Sequence, residues 1–139
     1  MQDGIDAGAS VVAGGKPVEG PGFFFEPAVV CNVRRDMRLY REEIFGPVAT
    51  VMPFDEEDDV VREANDTPYG LAGAIWTNDL SRARRLAGRI DAGTIWVNCQ
   101  NVFNPAIPFG GFKQSGVGTE YVWQGIEAYL RTKAVVVRL

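Results

Sequence analysis

From Val48 to Val97 the sequence alternates short apolar, β-branched runs with helix-forming stretches, and few folds accept that order. Val48 to Phe54 reads as a strand. Asp55-Glu56-Glu57-Asp58 follows, with Asp55 as N-cap and acids suited to the positive end of a helix. Val60, Val61 and Ala64 give that helix an apolar side, and it should end between Asn65 and Pro68. Leu71 to Trp76 is a second strand. Asn78 or Asp79 caps a second helix, in which Leu80, Ala83, Leu86, Ala87 and Ile90 recur at three- and four-residue steps. Gly93 closes it, and Thr94-Ile95-Trp96-Val97 is a third strand. Strand, helix, strand, helix, strand at short spacing predicts an α/β fold with a parallel βαβαβ core and right-handed crossovers. Ligands of such sheets lie beyond the carboxyl ends of the strands, which places Asn98, Cys99 and the loop after them at the rim of a site.

The flanks are less regular. Val11-Val12-Ala13 is a short apolar run stopped by Gly14-Gly15, and Pro17, Gly20, Pro21 and Gly22 mark a loop. Phe23 to Val33 is aromatic and β-branched and reads as strand, with Pro27 demoting part of it to an edge or break. Asn98 to Gly118 lacks periodicity and carries Phe103, Phe109 and Phe112 among prolines and glycines. A loop of that length inside a compact domain is uncommon and tends to be functional. Thr119 is placed to cap a last helix, with Val122, Ile126, Tyr129 and Leu130 on one side. The chain closes on the β-rich Ala134-Val135-Val136-Val137.

Composition narrows the chemistry. The 139 residues contain no histidine, which removes His-based triads, Cys-His dyads and His-containing zinc sites from this chain. Cys31 and Cys99 are too few for a disulfide scaffold, so the reducing cytoplasm is the expected compartment. A net charge of −4 disfavours general nucleic-acid binding, and Arg82-Ala83-Arg84-Arg85 reads as the solvated face of a helix. No apolar stretch is long enough to span a membrane, and no secretory signal opens the chain.

Four segments resemble the NAD(P)-dependent aldehyde dehydrogenase family, in that family's order and at its spacings. They are Arg41-Glu42-Glu43-Ile44-Phe45-Gly46-Pro47-Val48, Ala64-Asn65-Asp66-Thr67-Pro68-Tyr69-Gly70-Leu71-Ala72, Ala92-Gly93-Thr94-Ile95-Trp96-Val97-Asn98 and Pro108-Phe109-Gly110-Gly111-Phe112-Lys113-Gln114-Ser115-Gly116. In such enzymes a cysteine thiolate attacks the aldehyde, the thiohemiacetal passes hydride to NAD(P)+, and water releases the acid. The resemblance matches Glu43 to the glutamate that holds the nicotinamide ribose; an ionised carboxylate can accept hydrogen bonds from two adjacent hydroxyls. Taken alone, Glu42 and Glu43 are an exposed acidic pair. Phe45 matches the phenylalanine beside the nicotinamide. Phe103 and Phe109 match residues that line the aldehyde channel, where apolar walls favour hydrophobic substrates. Glu120 matches an acidic residue that organises water, although the family's Arg-Glu-Leu-Gly run is here Thr119-Glu120-Tyr121-Val122, which also suits a helix N-terminal acid.

The same resemblance implies that residues 1–139 are the C-terminal part of the catalytic domain and that residues from about 130 to 139 form an oligomerisation strand. It implies that the cofactor-binding domain lies elsewhere, together with the nucleophilic cysteine, the general-base glutamate and the oxyanion-hole asparagine. Cys99 is the better-placed substitute nucleophile, but no histidine or evident cation activates it, and a structural thiol is the simpler reading. The expectation is therefore a piece of an aldehyde-oxidising homo-oligomer that uses NAD or NADP and is inactive by itself. Two alternatives stand beside it. One is an interaction module that self-associates or pairs with a full-length homologue. The other is a related reductase of acyl phosphates or acyl thioesters.

Overall fold

The computed structural model describes residues 1–139 and divides the chain into two compact units, Met1–Asp55 and Glu56–Leu139. The first begins with a short helix α1 (Gln2–Asp6) and strand β1 (Ser10–Ala13). It continues through β2 (Ala28–Cys31), the one-turn helix α2 (Arg38–Arg41) and β3 (Val48–Thr50). The three strands form one sheet in the order β1-β2-β3, with β1 antiparallel and β3 parallel to β2. Val30 at the centre of β2 is fully buried, and Ala9, Ala28, Val33, Met37 and Leu39 pack with it. The strand expected over Phe23 to Val33 is shorter than its composition suggests. Pro27 has no N–H to give to a ladder, and pairing begins only at Ala28. Phe25 is held by an isolated bridge to Pro17, while Phe23 and Phe24 are exposed at the tip of the loop.

The second unit contains α3 (Glu57–Asn65), β4 (Tyr69–Gly70), β5 (Ala72–Ile75), α4 (Leu80–Ala87), β6 (Thr94–Val97), β7 (Phe112–Lys113) and α5 (Val122–Glu127). Strands β5 and β6 pair in parallel, Ala72 opposite Thr94 through Ile75 opposite Val97, with α4 as the crossover. Val61 of α3, Ile75 of β5 and Leu86 of α4 are buried together, with Ala87, Ile90 and Ile95 against them. The α/β class and the parallel pairing are thus present, but the pairing is shared between two sheets. Val48–Thr50 joins β2, and a separate antiparallel pair joins β4 to β7.

Local signals account for most element ends. Asp79 caps α4, its side chain accepting from the Arg82 N–H at 3.0 Å. Asp55 does not cap α3; Glu56 stands at that position without a side-chain bond, and Glu57, Asp58 and Asp59 fill the first turn. Helix α4 stops at Ala87 with Gly88 as its C-cap, earlier than Gly93. The role of Gly93 is different: a Cβ there would overlap the Gly110 carbonyl oxygen, so glycine lets two backbones approach. Thr119 does not cap the last helix, which begins at Val122 after Tyr121. Tyr121 and Val122 both have φ in the left-handed region, and α5 buries none of its residues. Residues 131–139 form no strand, and none of the chain's strands pairs with them.

Candidate active-site residues

The acidic pair Glu42-Glu43 is not a pair of equivalents. Glu42 ends α2, and both of its carboxylate oxygens accept from Arg38, from Nε at 2.8 Å and from Nη2 at 2.9 Å. Arg38 also donates from Nη1 to Asp3 at 2.7 Å, which ties α1 to α2. The Arg38 guanidinium holds the Glu42 carboxyl below the usual glutamate range. Glu43, one residue on, is exposed, and its carboxylate has no hydrogen-bond or ion-pair partner in the chain.

Phe45 stands two residues further along the same segment, 92% exposed and with φ 50°. A non-glycine residue in that region costs roughly 1–2 kcal/mol, and a bulky side chain adopts it rarely. The strain coincides with an aromatic ring presented to solvent, and strained backbone of this kind clusters at ligand sites.

In the second unit the loop that follows β6 is built rather than loose. Asn98, at φ 54°, brackets Thr77 with its amide: Oδ1 accepts from the Thr77 N–H at 2.9 Å and Nδ2 donates to the Thr77 carbonyl at 2.9 Å. The Trp96 indole N–H donates to the Val102 carbonyl at 2.9 Å. Trp96 meets Phe103 edge to face at 5.6 Å between ring centroids, and Phe103 meets Phe109 in the same way at 5.2 Å. The two phenylalanines expected in a channel are therefore in contact.

Phe109 and Glu120 form an isolated antiparallel bridge, each N–H donating to the other's carbonyl, at 3.1 and 2.7 Å. This bridge keeps Glu120 ahead of α5 and outside its first turn, which corrects its reading as a helix N-terminal acid. Both residues line a groove of about 580 Å³ with Leu71, Val117, Tyr121 and Ile126. Phe103 is not among the lining residues of that groove; it backs Phe109.

Lys113 passed unnoticed in the sequence. Its Nζ donates to the carbonyls of Asn65 at 3.0 Å and Thr67 at 3.3 Å and pairs with Asp91 at 3.4 Å, a cation at the carbonyl end of α3. Ser115 Oγ accepts from the Gly70 N–H at 2.9 Å, so both ends of the β7 turn are fastened to the α3–β5 connection. The run Arg82-Ala83-Arg84-Arg85 is a helix face engaged in ion pairs. Arg82 and Arg85 both reach Glu57, at 2.7 and 3.0 Å, and Arg89 reaches Asp58 at 2.6 Å. Cys31 and Cys99 are half-buried free thiols.

Residues 1–135 match the aldehyde dehydrogenase family, and the chain belongs to that family. It is 47% identical over 135 residues to a mitochondrial aldehyde dehydrogenase of Leishmania tarentolae, covering 97% of this chain and 27% of the relative. It is 43% identical to retinal dehydrogenase 2 of Gallus gallus over its whole length, again 27% of the relative. The solved NAD+ complex of a Bacillus cereus aldehyde dehydrogenase superposes with a TM-score of 0.93 at 41% identity, covering 99% of this chain and 28% of that one. A Staphylococcus aureus betaine aldehyde dehydrogenase in complex with NAD+ gives 0.90, also at 41% identity, over 96% of this chain and 27% of that one. The chain thus spans little more than a quarter of the length of these relatives.

Proposed function

We propose that this chain is the C-terminal part of an enzyme that oxidises an aldehyde to a carboxylic acid with NAD(P)+. In this reading it supplies binding residues to the active site and none of the groups that react. The observation that carries it is the division of labour between two neighbouring carboxylates. Arg38 occupies Glu42, while Glu43 has no partner in the chain and stands two residues from an exposed, backbone-strained Phe45.

An exposed carboxylate free of internal bonds fits a pair of ribose hydroxyls, and an exposed ring fits the flat face of a nicotinamide, so these residues suit the cofactor. NAD(P)+, when bound, supplies the hydride acceptor. Glu43 anchors the ribose and Phe45 orients the ring. Phe109, backed by Phe103, supplies apolar wall to the substrate channel, and Glu120, exposed at the same groove, organises water there. The nucleophile and general base come from the remainder of the enzyme, so the isolated chain is inactive. The complete enzyme is a cytoplasmic homo-oligomer in which residues from about 130 onward pair with a neighbouring subunit.

In the polypeptide that carries this chain with the rest of the enzyme, Glu43→Gln should raise the KM for the cofactor about 10-fold or more, because a charge-assisted bond contributes roughly 1.5–3 kcal/mol. An unchanged KM would remove Glu43 from the cofactor site.

One observation favours a second reading, a module that associates with itself or with a full-length homologue. Helix α5 buries nothing, and Val135, Val136 and Val137 are 73–94% exposed. A folded, strictly monomeric species at high concentration would count against self-association.

A further inference from the structure

Trp96 lies in β6, yet its side chain acts on the loop beyond. The indole N–H reaches the Val102 carbonyl at 2.9 Å, so the ring holds the residue next to Phe103 by a hydrogen bond. The same ring meets Phe103 edge to face at 88°, and Phe103 meets Phe109 at 82°. Only Phe109 of the three lines the groove. At the other end of the loop the Asn98 amide is fastened to Thr77. A rigid strand therefore fixes Trp96, Trp96 fixes Phe103, and Phe103 sets the plane of the ring that faces the groove.

We infer that Trp96 is a positioning residue for the apolar wall that receives the organic part of an aldehyde, acting through Phe103 on Phe109. The inference rests on the channel reading of Phe109 given above. A wall in which the Phe109 ring is held in a fixed plane favours a flat, aromatic substrate over a flexible chain, because ring-on-ring contacts reward a fixed orientation. Losing the donor leaves Trp96 in its strand but frees Val102, and with it the angle of Phe103.

The test uses the 139-residue chain and benzaldehyde, followed by the amide and indole resonances in solution. The Trp96 indole N–H should exchange with solvent more slowly than that of the exposed Trp76. Benzaldehyde should bind the chain and shift the Trp96 indole resonance. Trp96→Phe should weaken binding about fivefold, the worth of one neutral hydrogen bond. Trp96→Phe combined with Phe103→Leu should be no weaker than Phe103→Leu alone, since the two act in series. Should Trp96→Phe disturb folding, β-(3-benzothienyl)alanine at position 96 keeps the ring shape and removes only the donor, with the same loss expected.

Equal binding by the donor-free variants, additive losses in the double variant, or a Trp96 indole that exchanges as fast as Trp76's would overturn the inference while leaving the channel reading intact. A protected indole in a chain that does not bind benzaldehyde would overturn the channel reading, and the inference with it.

Discussion

Asn98 and Thr77 are joined by two hydrogen bonds that imitate a strand pair, the Asn98 amide accepting from the Thr77 N–H and donating to its carbonyl, each at 2.9 Å. The bond from the Asn98 N–H to the Ile75 carbonyl, at 2.8 Å, ends the ladder between β5 and β6. The side chain then continues that ladder while its own backbone, at φ 54°, turns away into the loop. Asparagine suits this place twice over: it tolerates the left-handed region better than most residues, and it carries a donor and an acceptor on one amide.

Asn98→Ala removes both bonds and adds left-handed strain, and it should destabilise the chain by about 2 kcal/mol in denaturant unfolding. Asn98→Gly removes the bonds without the strain and should cost about 1 kcal/mol less. Equal losses in the two variants would show that the backbone at this position is unstrained.

Gly93 and Gly110 make a second prediction. A methyl group at position 93 would collide with the Gly110 carbonyl oxygen, which belongs to backbone that cannot step aside as a side chain does. Gly93→Ala should destabilise by about 3 kcal/mol or more, within the range of overpacking substitutions. The loop bearing Phe109 should show the largest increase in amide exchange. A neutral substitution would mean that the two backbones are not in contact.

Those two contacts mark the boundary of what could be read in advance. The cap at Asp79 and the buried positions Ala83 and Leu86 are local signals, written within one or two helical turns, and the structure has them where the periodicity placed them, whereas Leu80 of the same stripe is exposed and Ile90 lies beyond the end of α4. Strand β6 follows from a β-branched and aromatic run, and β5 from a short apolar run between turn residues. Pairing is another matter. Val48–Thr50 and Ala72–Ile75 are both short apolar runs, and nothing within either run says that the first belongs beside Ala28–Val30 and the second beside Thr94–Val97.

The length of the loop from Asn98 to Gly118 marks it as unusual, but its order comes from partners far away in sequence. Lys113 reaches the Asn65 and Thr67 carbonyls, Ser115 the Gly70 N–H, and Glu120 the Phe109 backbone. The flanking motif singles out Glu43 as a proposed cofactor ligand. Its distinction from Glu42 is not written there, because that depends on the bidentate reach of Arg38 from the preceding turn.

The clamp between α3 and α4 gives a pH dependence. Glu57 accepts from Arg85 and Arg82, and these bonds hold its carboxyl below the usual glutamate range. A carboxyl whose folded pKa is depressed contributes stability that is complete above its unfolded pKa, roughly 4.3, and is lost as pH falls through the lower folded value. Acid unfolding should therefore begin below about pH 4.3, and Glu57→Gln should flatten the slope there while leaving the neutral-to-alkaline part of the profile parallel to wild type. Added salt should reduce the difference, since all three side chains meet solvent. A variant whose acid slope is unchanged would show that the clamp carries no stability.

In the proposed function this chain contributes binding surface to aldehyde oxidation and none of the reacting groups. This is tested most directly by incubating the purified 139-residue chain at high concentration with NAD+ or NADP+ and an aromatic or aliphatic aldehyde, and following reduced cofactor. No aldehyde-dependent NADH or NADPH is expected above the protein-free control. Sustained turnover that Cys99→Ser or Cys31→Ser abolishes would contradict it, because the nucleophile would then lie within this chain.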